Sequence, residues 1–176
     1  GKTMATVFPA VKAVGEGLAE KLFYLTAKTI TRTVAQQAFE ILKEGPHREN
    51  GQISESEQMR YKTIVLTAKE KICFCDKAEC NPDYCPYAKG HYDRINDAVY
   101  EMITETDDLS RSAIEQQAKK WQVCPFELGL DLSLWADAVI CDYNYVFDPN
   151  ARLKRFFGDN VKGEYLFLID EAHNLV

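Results

Sequence analysis

The sequence predicts an α/β fold with a parallel, doubly wound sheet. Four short apolar runs alternate with segments of helical periodicity, and the last run ends in two adjacent carboxylates. Strands that alternate with helices in this way form parallel βαβ units. The stretch from 73 to 124 interrupts the alternation and has the character of an insertion. The predicted strands are 21–27 (KLFYLTA), 61–68 (YKTIVLTA), 137–141 (DAVIC) and 165–169 (YLFLI).

The fourth run predicts a strand buried on both faces, because five apolar residues follow one another without alternation. Asp170 and Glu171 come directly after it, at the carboxyl edge where open α/β sheets bind their ligands. One acid can hold Mg²⁺ through its water shell while the other polarises a water molecule. Taken alone, such a pair more often marks only the end of a strand and the start of a helix.

The chain opens with Gly1, Lys2 and Thr3, the last three residues of the phosphate-binding pattern G-x-x-x-x-G-K-S/T. In that pattern the lysine reaches the β and γ phosphates and the hydroxyl ligates Mg²⁺. The tripeptide and the Asp-Glu pair both belong at strand ends, so together they predict one nucleotide site. The strand and glycines of the full pattern are absent from the sequence, so we expect a piece of a longer protein that does not hydrolyse ATP by itself.

Segments of helical periodicity fill the spaces between the strands. Pro9 lies late for a first-turn proline and predicts a kink or a short break in the first helix. Residues 30–44 predict an amphipathic helix that ends at Gly45-Pro46, and 47–59 a polar loop. The other predicted helices lie within 4–17, 86–104 and 110–121, the last with Ser110 at its start.

Thr26, Lys28 and Thr29 follow the first predicted strand at the ligand edge of the sheet. Hydroxyl and ammonium groups there suit contacts with phosphate. An equally good alternative is that one of the threonines caps the next helix.

Composition is that of an ordinary globular protein, with 46% apolar and 27% charged residues in 176. No apolar run approaches the length of a membrane span, so we expect the cytosol and no membrane partner. The net charge of −6 argues against binding of nucleic acid through bulk positive charge. It leaves room for a local groove, because residues 60–94 carry seven Lys or Arg and five Asp or Glu.

Six cysteines in a reducing compartment indicate a metal site or catalysis sooner than disulfides. Cys124 precedes a proline as Cys85 does, and Cys141 lies in a predicted strand as a small apolar residue. Zinc and an iron–sulfur cluster both accept four thiolates, and the spacing does not choose between them. The dense group within thirteen residues is Cys73, Cys75, Cys80 and Cys85.

Cations and aromatic residues alternate around these cysteines. Cations can contact phosphates, and flat rings can stack on the bases of a single strand. The alternative is that the tyrosines cover a small domain with little core of its own. The cations are Lys69, Lys71, Lys89 and Arg94, and the rings are Phe74, Tyr84, Tyr87 and Tyr92.

Over essentially its whole length the chain resembles the XPD and DinG family of iron–sulfur superfamily 2 helicases. The resemblance implies an incomplete first RecA-like motor domain at 1–68 and 125–176, with a parallel sheet. It also implies an inserted, mainly helical four-iron four-sulfur domain at 69–124. The motifs that carry it, in family order, are GKT, LTAKT, LTAKEK, the Lys-Ile-Cys block, Cys-Pro-Phe, YNYVFDP and LIDEAHN.

The resemblance also implies roles at the nucleotide site. Gly1, Lys2 and Thr3 would bind ATP, with Thr3 and Asp170 on Mg²⁺. Glu171 would activate the attacking water, with Asp170 and Lys2 as the other catalytic groups. His173 would couple the ATP site to the DNA groove.

For the insertion, the resemblance implies that Cys73, Cys80, Cys85 and Cys124 hold the cluster. Cys75 matches no ligand of the family, and a shift of two residues between Cys73 and Cys75 stays open. The single-strand backbone would be gripped by Thr26, Lys28 and Thr29, and we expect Lys69, Lys71 and Tyr87 to add contacts with DNA.

The implied function is an ATP-dependent DNA helicase that moves 5′ to 3′ on single-stranded DNA and unwinds duplexes in repair or replication. Its partners would be single-stranded DNA, forked duplex, ATP and a second motor domain of the same parent chain, in the cytoplasm or in a eukaryotic nucleus. Two alternatives stay open. One is a non-enzymatic zinc or iron–sulfur domain for electron transfer or docking, and the other is a helicase for RNA or DNA–RNA hybrids.

Overall fold

The chain forms two compact units, Gly1–Thr63 with Asp137–Val176, and Ile64–Ala136. This computed structural model describes residues 1–27, 29–44 and 60–175, apart from the side chains of Thr29, Asp108 and Asn174. The polar loop predicted at 47–59 and the predicted helix stop at Gly45-Pro46 lie outside the described residues. The insertion expected at 69–124 falls within the second unit.

Strands and helices alternate along the described chain. The strands are β1 (Lys21–Leu25), β2 (Thr63–Val65), β3 (Asp108–Leu109), β4 (Ala138–Cys141) and β5 (Tyr165–Ile169). The helices are α1 (Lys2–Gly15), α2 (Thr29–Glu44), α3 (Lys69–Ile72), α4 (His91–Glu105), α5 (Arg111–Trp121), α6 (Pro125–Ser133), α7 (Asn144–Phe147) and α8 (Lys154–Phe157). A final 3-10 helix covers Ala172–Leu175.

Three parallel strands form the centre of the first unit, so the predicted parallel sheet is confirmed. β1 pairs with β4 on one side and with β5 on the other. Leu22 lies opposite Ala138 in β4 and opposite Leu166 in β5. Every residue of β1 is buried, because both of its neighbours are strands and helices cover the faces of such a sheet.

β5 is a strand as predicted, but the prediction that it is buried on both faces is wrong. Phe167 is 40% exposed and Ile169 is 37% exposed. β5 lies at the end of the described strand order, with β1 as its neighbour there. A strand at a sheet edge has fewer surrounding groups, so an unbroken apolar run does not by itself guarantee burial.

Aromatic side chains fill the space around Phe23, at the middle of β1. Its ring is fully buried, and four other rings lie 5.1 to 5.5 Å from it, centroid to centroid. Aromatic pairs at these separations add to the stabilisation that burial provides. The segment LKRFF therefore supplies core rings beside its basic residues. The four rings are Phe156, Phe157, Tyr165 and Phe167.

The two helices predicted within 4–17 and at 30–44 are present in the first unit as α1 and α2. α1 runs through Pro9 without the break that the sequence suggested as one of two outcomes. Proline removes a single helix hydrogen bond, and the turns on either side of it are still formed. In α2, Ala35, Ala38 and Phe39 are buried, whereas the apolar residues Val34 and Ile41 are largely exposed.

In the second unit α4, α5 and α6 pack against one another. The helix predicted from 86 begins instead at His91, because residues 81–90 form consecutive turns. Gly90 ends these turns with φ of +69°, a left-handed conformation that glycine adopts without steric cost. Ser110 caps α5 as predicted, and its hydroxyl accepts a hydrogen bond from Ala113 N–H at 3.4 Å.

The Glu101 carboxylate joins α4 to α5 through three donors. Lys120 Nζ lies 2.6 Å from it, Trp121 Nε1 2.7 Å and Gln117 Nε2 2.8 Å. These hydrogen bonds, with that of Lys120 the largest contribution, lower the pKa of Glu101 to about 2. All of the donors favour the ionised form, so the contact ties α4 to α5 when Glu101 is charged.

We expect Glu101→Gln to lower the urea midpoint of unfolding at pH 7. A carboxyl with a depressed folded-state pKa contributes stability above its unfolded pKa, near 4.5, and loses it as pH falls toward 2. The difference between wild type and variant should therefore shrink from pH 7 to pH 3, followed by tryptophan fluorescence. Glu105→Gln, at the exposed end of the same helix, is the control. A difference that stays constant with pH would contradict this account.

Candidate functional site

The first candidate site lies in the first unit, where α1 begins. Gly1 is the residue before the helix and Lys2 its first residue, so the opening tripeptide occupies the N-terminus of a 14-residue helix. The unpaired amides and the dipole of a helix N-terminus favour a bound anion. Lys2 is exposed, which leaves its ammonium accessible to a phosphate.

The phenol of Tyr24, in β1, interacts with one residue of each predicted motif, Thr3 and Asp170. Burial, followed by the negative charge of Asp170, raises the pKa of Tyr24, while a hydrogen bond with the Thr3 side chain opposes the shift. Tyr24 therefore hydrogen-bonds to Thr3 and lies within electrostatic range of Asp170, whose N–H donates to Leu25 O at 2.9 Å. One residue of the tripeptide and one of the acidic pair thus both interact with the carboxyl-end half of β1, and the nucleotide site that would join them stays a prediction.

Glu171 has an unusual backbone conformation, with φ of +49°. A non-glycine residue in the left-handed region costs roughly 1–2 kcal/mol, so surrounding contacts must hold it there. Tyr143 provides two, because its hydroxyl donates to Asp170 O and lies 3.3 Å from Glu171 O. The exposed Glu171 side chain is thus displayed by a strained turn, a feature concentrated at functional sites.

The residues predicted to grip DNA from the first unit are only partly described. Thr26 is 1% exposed, and its hydroxyl shares a hydrogen bond with that of Thr31. As arranged, Thr26 supports the turn into α2 instead of presenting a hydroxyl to solvent, so its contact with DNA stays a prediction. Lys28 and the Thr29 side chain lie outside the described residues. His173 is exposed in the final 3-10 helix.

The second candidate site is a cavity of about 220 Å³ in the second unit. That volume is many times what one water molecule needs. Five of the six cysteines line it, as do aromatic and basic side chains. Cys141, the sixth, is fully buried in β4 as predicted, and burial raises the pKa of its thiol. The lining cysteines are Cys73, Cys75, Cys80, Cys85 and Cys124.

The loop from Cys80 to Cys85 has a local explanation in the sequence. The Asn81 side chain accepts a hydrogen bond from Asp83 N–H at 2.9 Å, the turn that an Asn-Pro-Asp sequence favours. The Asn81 carbonyl accepts from Cys85 N–H at 2.7 Å. Two turns that share one residue therefore fix the loop that carries both cysteines.

The segment before Cys124 is held by α4. Arg94 donates to the carbonyls of Trp121 at 2.9 Å and Gln122 at 2.7 Å. Cys124 N–H donates to His91 Nδ1 at 3.2 Å. Arg94 thus has a structural role through Nε and Nη2, and its predicted contact with phosphate stays a prediction.

Cys124 is the residue before α6, with Pro125 in the first turn. Burial raises the pKa of its thiol, whereas the backbone N–H groups of Phe126 and Glu127 lower it. Amides at a helix N-terminus stabilise a thiolate, which is the form that binds metals. Burial outweighs these amides, so the pKa of Cys124 is raised overall.

Cys75 lies closest to Cys85, with the two sulfurs 3.7 Å apart. Desolvation, followed by the thiols of Cys85 and Cys73, raises the pKa of Cys75 to about 11. Within the described part of the chain, no three His, Cys, Asp or Glu side chains converge as they would on a single metal ion. The thiols are instead spread around the wall of the cavity.

Lys69, Lys71 and Tyr87 lie in three different surroundings. A hydrogen bond with the Cys80 sulfur is the main reason that the pKa of Lys69 is raised. Lys71 is exposed, and Tyr87 packs on Phe74 with ring centroids 4.9 Å apart. Of the three side chains only Lys71 is free of the cavity wall, so Lys71 suits a phosphate best.

Tyr92 is a candidate for base stacking that the sequence pattern did not single out from the other rings. It is 88% exposed on α4 and lines the mouth of the cavity. The sequence places Tyr92 close to the cysteines, but this spacing alone does not distinguish an exposed ring such as Tyr92 from a packed one such as Tyr87. A ring with an open face is the group that can stack on a nucleobase.

The chain matches the DEAD_2 family over residues 30–176. The chain belongs to the DEAD_2 family. Among DEAD_2 relatives, a Fanconi anemia group J protein homolog from Gallus gallus is 40% identical over 57 residues, covering 32% of this chain and 4% of the relative. Regulator of telomere elongation helicase 1 from Bos taurus is 25% identical over 127 residues, covering 66% of this chain and 10% of the relative.

A solved XPD helicase has the same fold. It aligns with a TM-score of 0.54 and 18% identity, covering 99% of this chain and 28% of that one. The predicted kinship with XPD-type helicases and the α/β fold with a parallel sheet are therefore confirmed. The chain spans 4% and 10% of the lengths of these two curated relatives. Among its described helices, none has the length and apolar character needed to cross a bilayer.

Proposed function

We propose that the chain is the part of an ATP-dependent DNA helicase that binds ATP and carries a metal cluster. The observation that carries the proposal is that Thr3, by a hydrogen bond, and Asp170, by its charge, both act on Tyr24 in a chain of the DEAD_2 family. ATP would bind between this unit and a second motor domain of the parent chain. Closing and opening of that cleft would drive movement along single-stranded DNA, 5′ to 3′, in DNA repair or replication.

In this proposal the residues of the first unit divide the chemistry of ATP hydrolysis. Gly1, Lys2 and the amides at the start of α1 would bind the phosphates, with the Lys2 ammonium on the β and γ groups. Thr3 and Asp170 would ligate Mg²⁺, which supplies charge neutralisation on the transferred phosphoryl group. Glu171 would take the proton of the attacking water, and His173, two residues later, would transmit the change toward the DNA.

The second unit would hold a four-iron four-sulfur cluster through Cys73, Cys80, Cys85 and Cys124. The fit is supported by the thiols of these four residues, which all line one cavity. When bound, such a cluster supplies a rigid link among four chain segments. Lys69 would donate to the Cys80 sulfur, and this unit would form the wedge that parts the strands of forked duplex.

The function is tested on the full-length protein. We expect single-stranded DNA to stimulate ATP hydrolysis, and a fork with a 5′ tail to be unwound in preference to one with a 3′ tail. Competition with RNA and with a DNA–RNA hybrid distinguishes the nucleic acids. Stimulation by RNA alone would replace DNA as the substrate, and no stimulation by any of them would refute the helicase.

A non-enzymatic metal domain is the second candidate, favoured by the separation of 3.7 Å between the Cys75 and Cys85 sulfurs. Two thiolates on one tetrahedral zinc ion lie roughly 3.8 Å apart. The colour of freshly purified protein separates the two metals, since an iron–sulfur cluster is brown and zinc is colourless, and DNA-stimulated ATPase separates the two functions. One zinc ion per chain and no DNA-dependent ATPase would establish docking as the better account, because zinc has no redox chemistry. An iron–sulfur cluster with no such ATPase would establish electron transfer or docking instead.

Tyr92→Ala should weaken binding of single-stranded DNA by roughly 5- to 150-fold. This range corresponds to about 1–3 kcal/mol for one stacked base. Tyr100→Ala is a matched control, because Tyr100 lies on the same helix, is 68% exposed and does not line the cavity. Fluorescence anisotropy with a labelled oligothymidylate measures both. Equal affinities for the two variants would argue against base stacking at Tyr92.

We assign the protein to the cytoplasm, or to the nucleus if it comes from a eukaryote. Organisms of the relatives described above are animals, which supports the second location within that proposal.

A further inference from the structure

Cys75 has no place in the set of ligands that the proposed cluster requires, yet its thiol lines the same cavity. Cys73 and Cys85 are both close to it, and the Cys75 and Cys85 sulfurs are 3.7 Å apart. Five thiols therefore surround a site that needs four. The question is what the fifth thiol does there.

The separation of the two sulfurs is informative. Thiolates bound to one tetrahedral metal at about 2.3 Å lie roughly 3.8 Å from each other. Cys75 and Cys85 therefore both lie within bonding reach of a single metal position. In a four-iron four-sulfur cluster each iron takes one cysteine, so two thiols at this distance compete for one iron.

We propose that Cys75 is a reserve ligand, which binds the iron otherwise held by Cys85 when the Cys85 thiolate is lost. This inference rests on the proposed cluster. In that exchange the bond between the iron and the Cys85 sulfur would break, the Cys85 sulfur would take up a proton, and the Cys75 thiol would give up its proton and hold the iron in its place. No electron is transferred, so the exchange needs no oxidant or reductant.

Cys80 provides the contrast within the same cavity. The Cys80 sulfur contacts the Ala78 carbonyl at 3.8 Å and the Lys69 ammonium, and it interacts by charge with Cys124, which is itself one of the proposed ligands. Loss of Cys80 should therefore leave its iron without a replacement, whereas loss of Cys85 should not. The two cysteines belong to one short loop, so the comparison holds the surroundings nearly constant.

The experiment measures iron and acid-labile sulfide per chain in full-length protein purified without oxygen. We expect Cys85→Ser to retain most of the wild-type content and Cys80→Ser to lose it. The double variant Cys85→Ser with Cys75→Ser should lose it as well, whereas Cys75→Ser alone should keep it. Loss of iron from Cys85→Ser equal to that from Cys80→Ser would overturn the inference.

A second measurement covers the case in which Cys85→Ser folds poorly. Iodoacetamide is added to each protein before digestion, and mass spectrometry reports which cysteines are alkylated. Cys75 should be alkylated in the wild type and protected in the folded fraction of Cys85→Ser. Alkylation of Cys75 in both would overturn the reserve role.

The outcomes also separate this inference from the proposal beneath it. Absence of iron and sulfide from the wild-type protein would refute the proposed cluster and, with it, the reserve role of Cys75. If the wild-type protein contains the cluster and Cys85→Ser loses iron, only the reserve role of Cys75 would be refuted.

Discussion

Lys2→Ala should lower ATP turnover of the full-length protein by roughly 100- to 1,000-fold. Removal of one preorganised group that stabilises transition-state charge has an effect of this size in other enzymes. Lys2 is exposed in the first turn of α1, so the substitution removes an ammonium without opening a cavity in the core. Phosphate release in the presence of single-stranded DNA is the measurement.

Glu171→Gln tests the group that would activate the attacking water in the same proposed site. Glutamine keeps the shape of the side chain and loses the proton acceptor, so we expect turnover to fall by roughly 100- to 10,000-fold. Binding of a fluorescent ATP analogue should survive in Glu171→Gln and weaken in Lys2→Ala. This difference separates water activation from phosphate binding.

Matched controls exist for both substitutions. Lys12 lies on the same helix as Lys2 and pairs with Glu16 at 3.6 Å on the surface, a contact of little energetic weight. Glu164, exposed just before β5, serves for Glu171. Turnover lost equally in Lys12→Ala or Glu164→Gln would point to general destabilisation. Turnover retained in both Lys2→Ala and Glu171→Gln would refute the proposed ATP site.

Strands and long helices could be predicted from the sequence because their signals are repeated. In β1 and β4 every residue is buried, and polar residues follow each apolar run. The 16 residues of α2 and the 15 of α4 contain several turns of one period. A pattern that repeats over many residues survives an error at any single position.

The ends of elements and the burial of β5 could not be predicted in the same way. The start of α4 depends on hydrogen bonds from Ala88 and Lys89 to the Cys85 carbonyl, which keep residues 85–90 in turns. The exposure of Phe167 depends on which strand lies beside β5. Both are set by contacts that a local pattern does not contain.

The nucleotide site and the cysteine site differ in what the sequence conveys. Thr3 and Asp170 could be predicted to lie near the same strand end because ligands bind at the carboxyl edge of such a sheet, and both residues act on Tyr24 in β1. Arg94 could not be assigned, because a cation in the sequence suits a phosphate and a backbone carbonyl equally. For Cys75, the sequence gives a place in the dense group of cysteines, and the structure adds that its sulfur lies 3.7 Å from that of Cys85 in the shared cavity.

Cys80→Ser should abolish strand separation while DNA-stimulated ATP hydrolysis continues. A serine hydroxyl is not deprotonated near neutral pH and is a poor replacement for a thiolate, so the proposed cluster should be lost. Cys80 is exposed, and the change from sulfur to oxygen leaves no void in the packed interior. The ATP site belongs to the first unit, whose residues are unchanged.

The measurement pairs two assays on one preparation. Unwinding of a fork with a 5′ tail should fall to the level without enzyme, and phosphate release stimulated by single-stranded DNA should remain. Cys75→Ser is the control, because it exchanges the same atoms in the same cavity at a position outside the implied set of ligands. Normal unwinding by Cys80→Ser after confirmed loss of iron would show that the second unit parts the strands without a cluster. Simultaneous loss of both activities would mean that the cluster supports the fold of the motor itself.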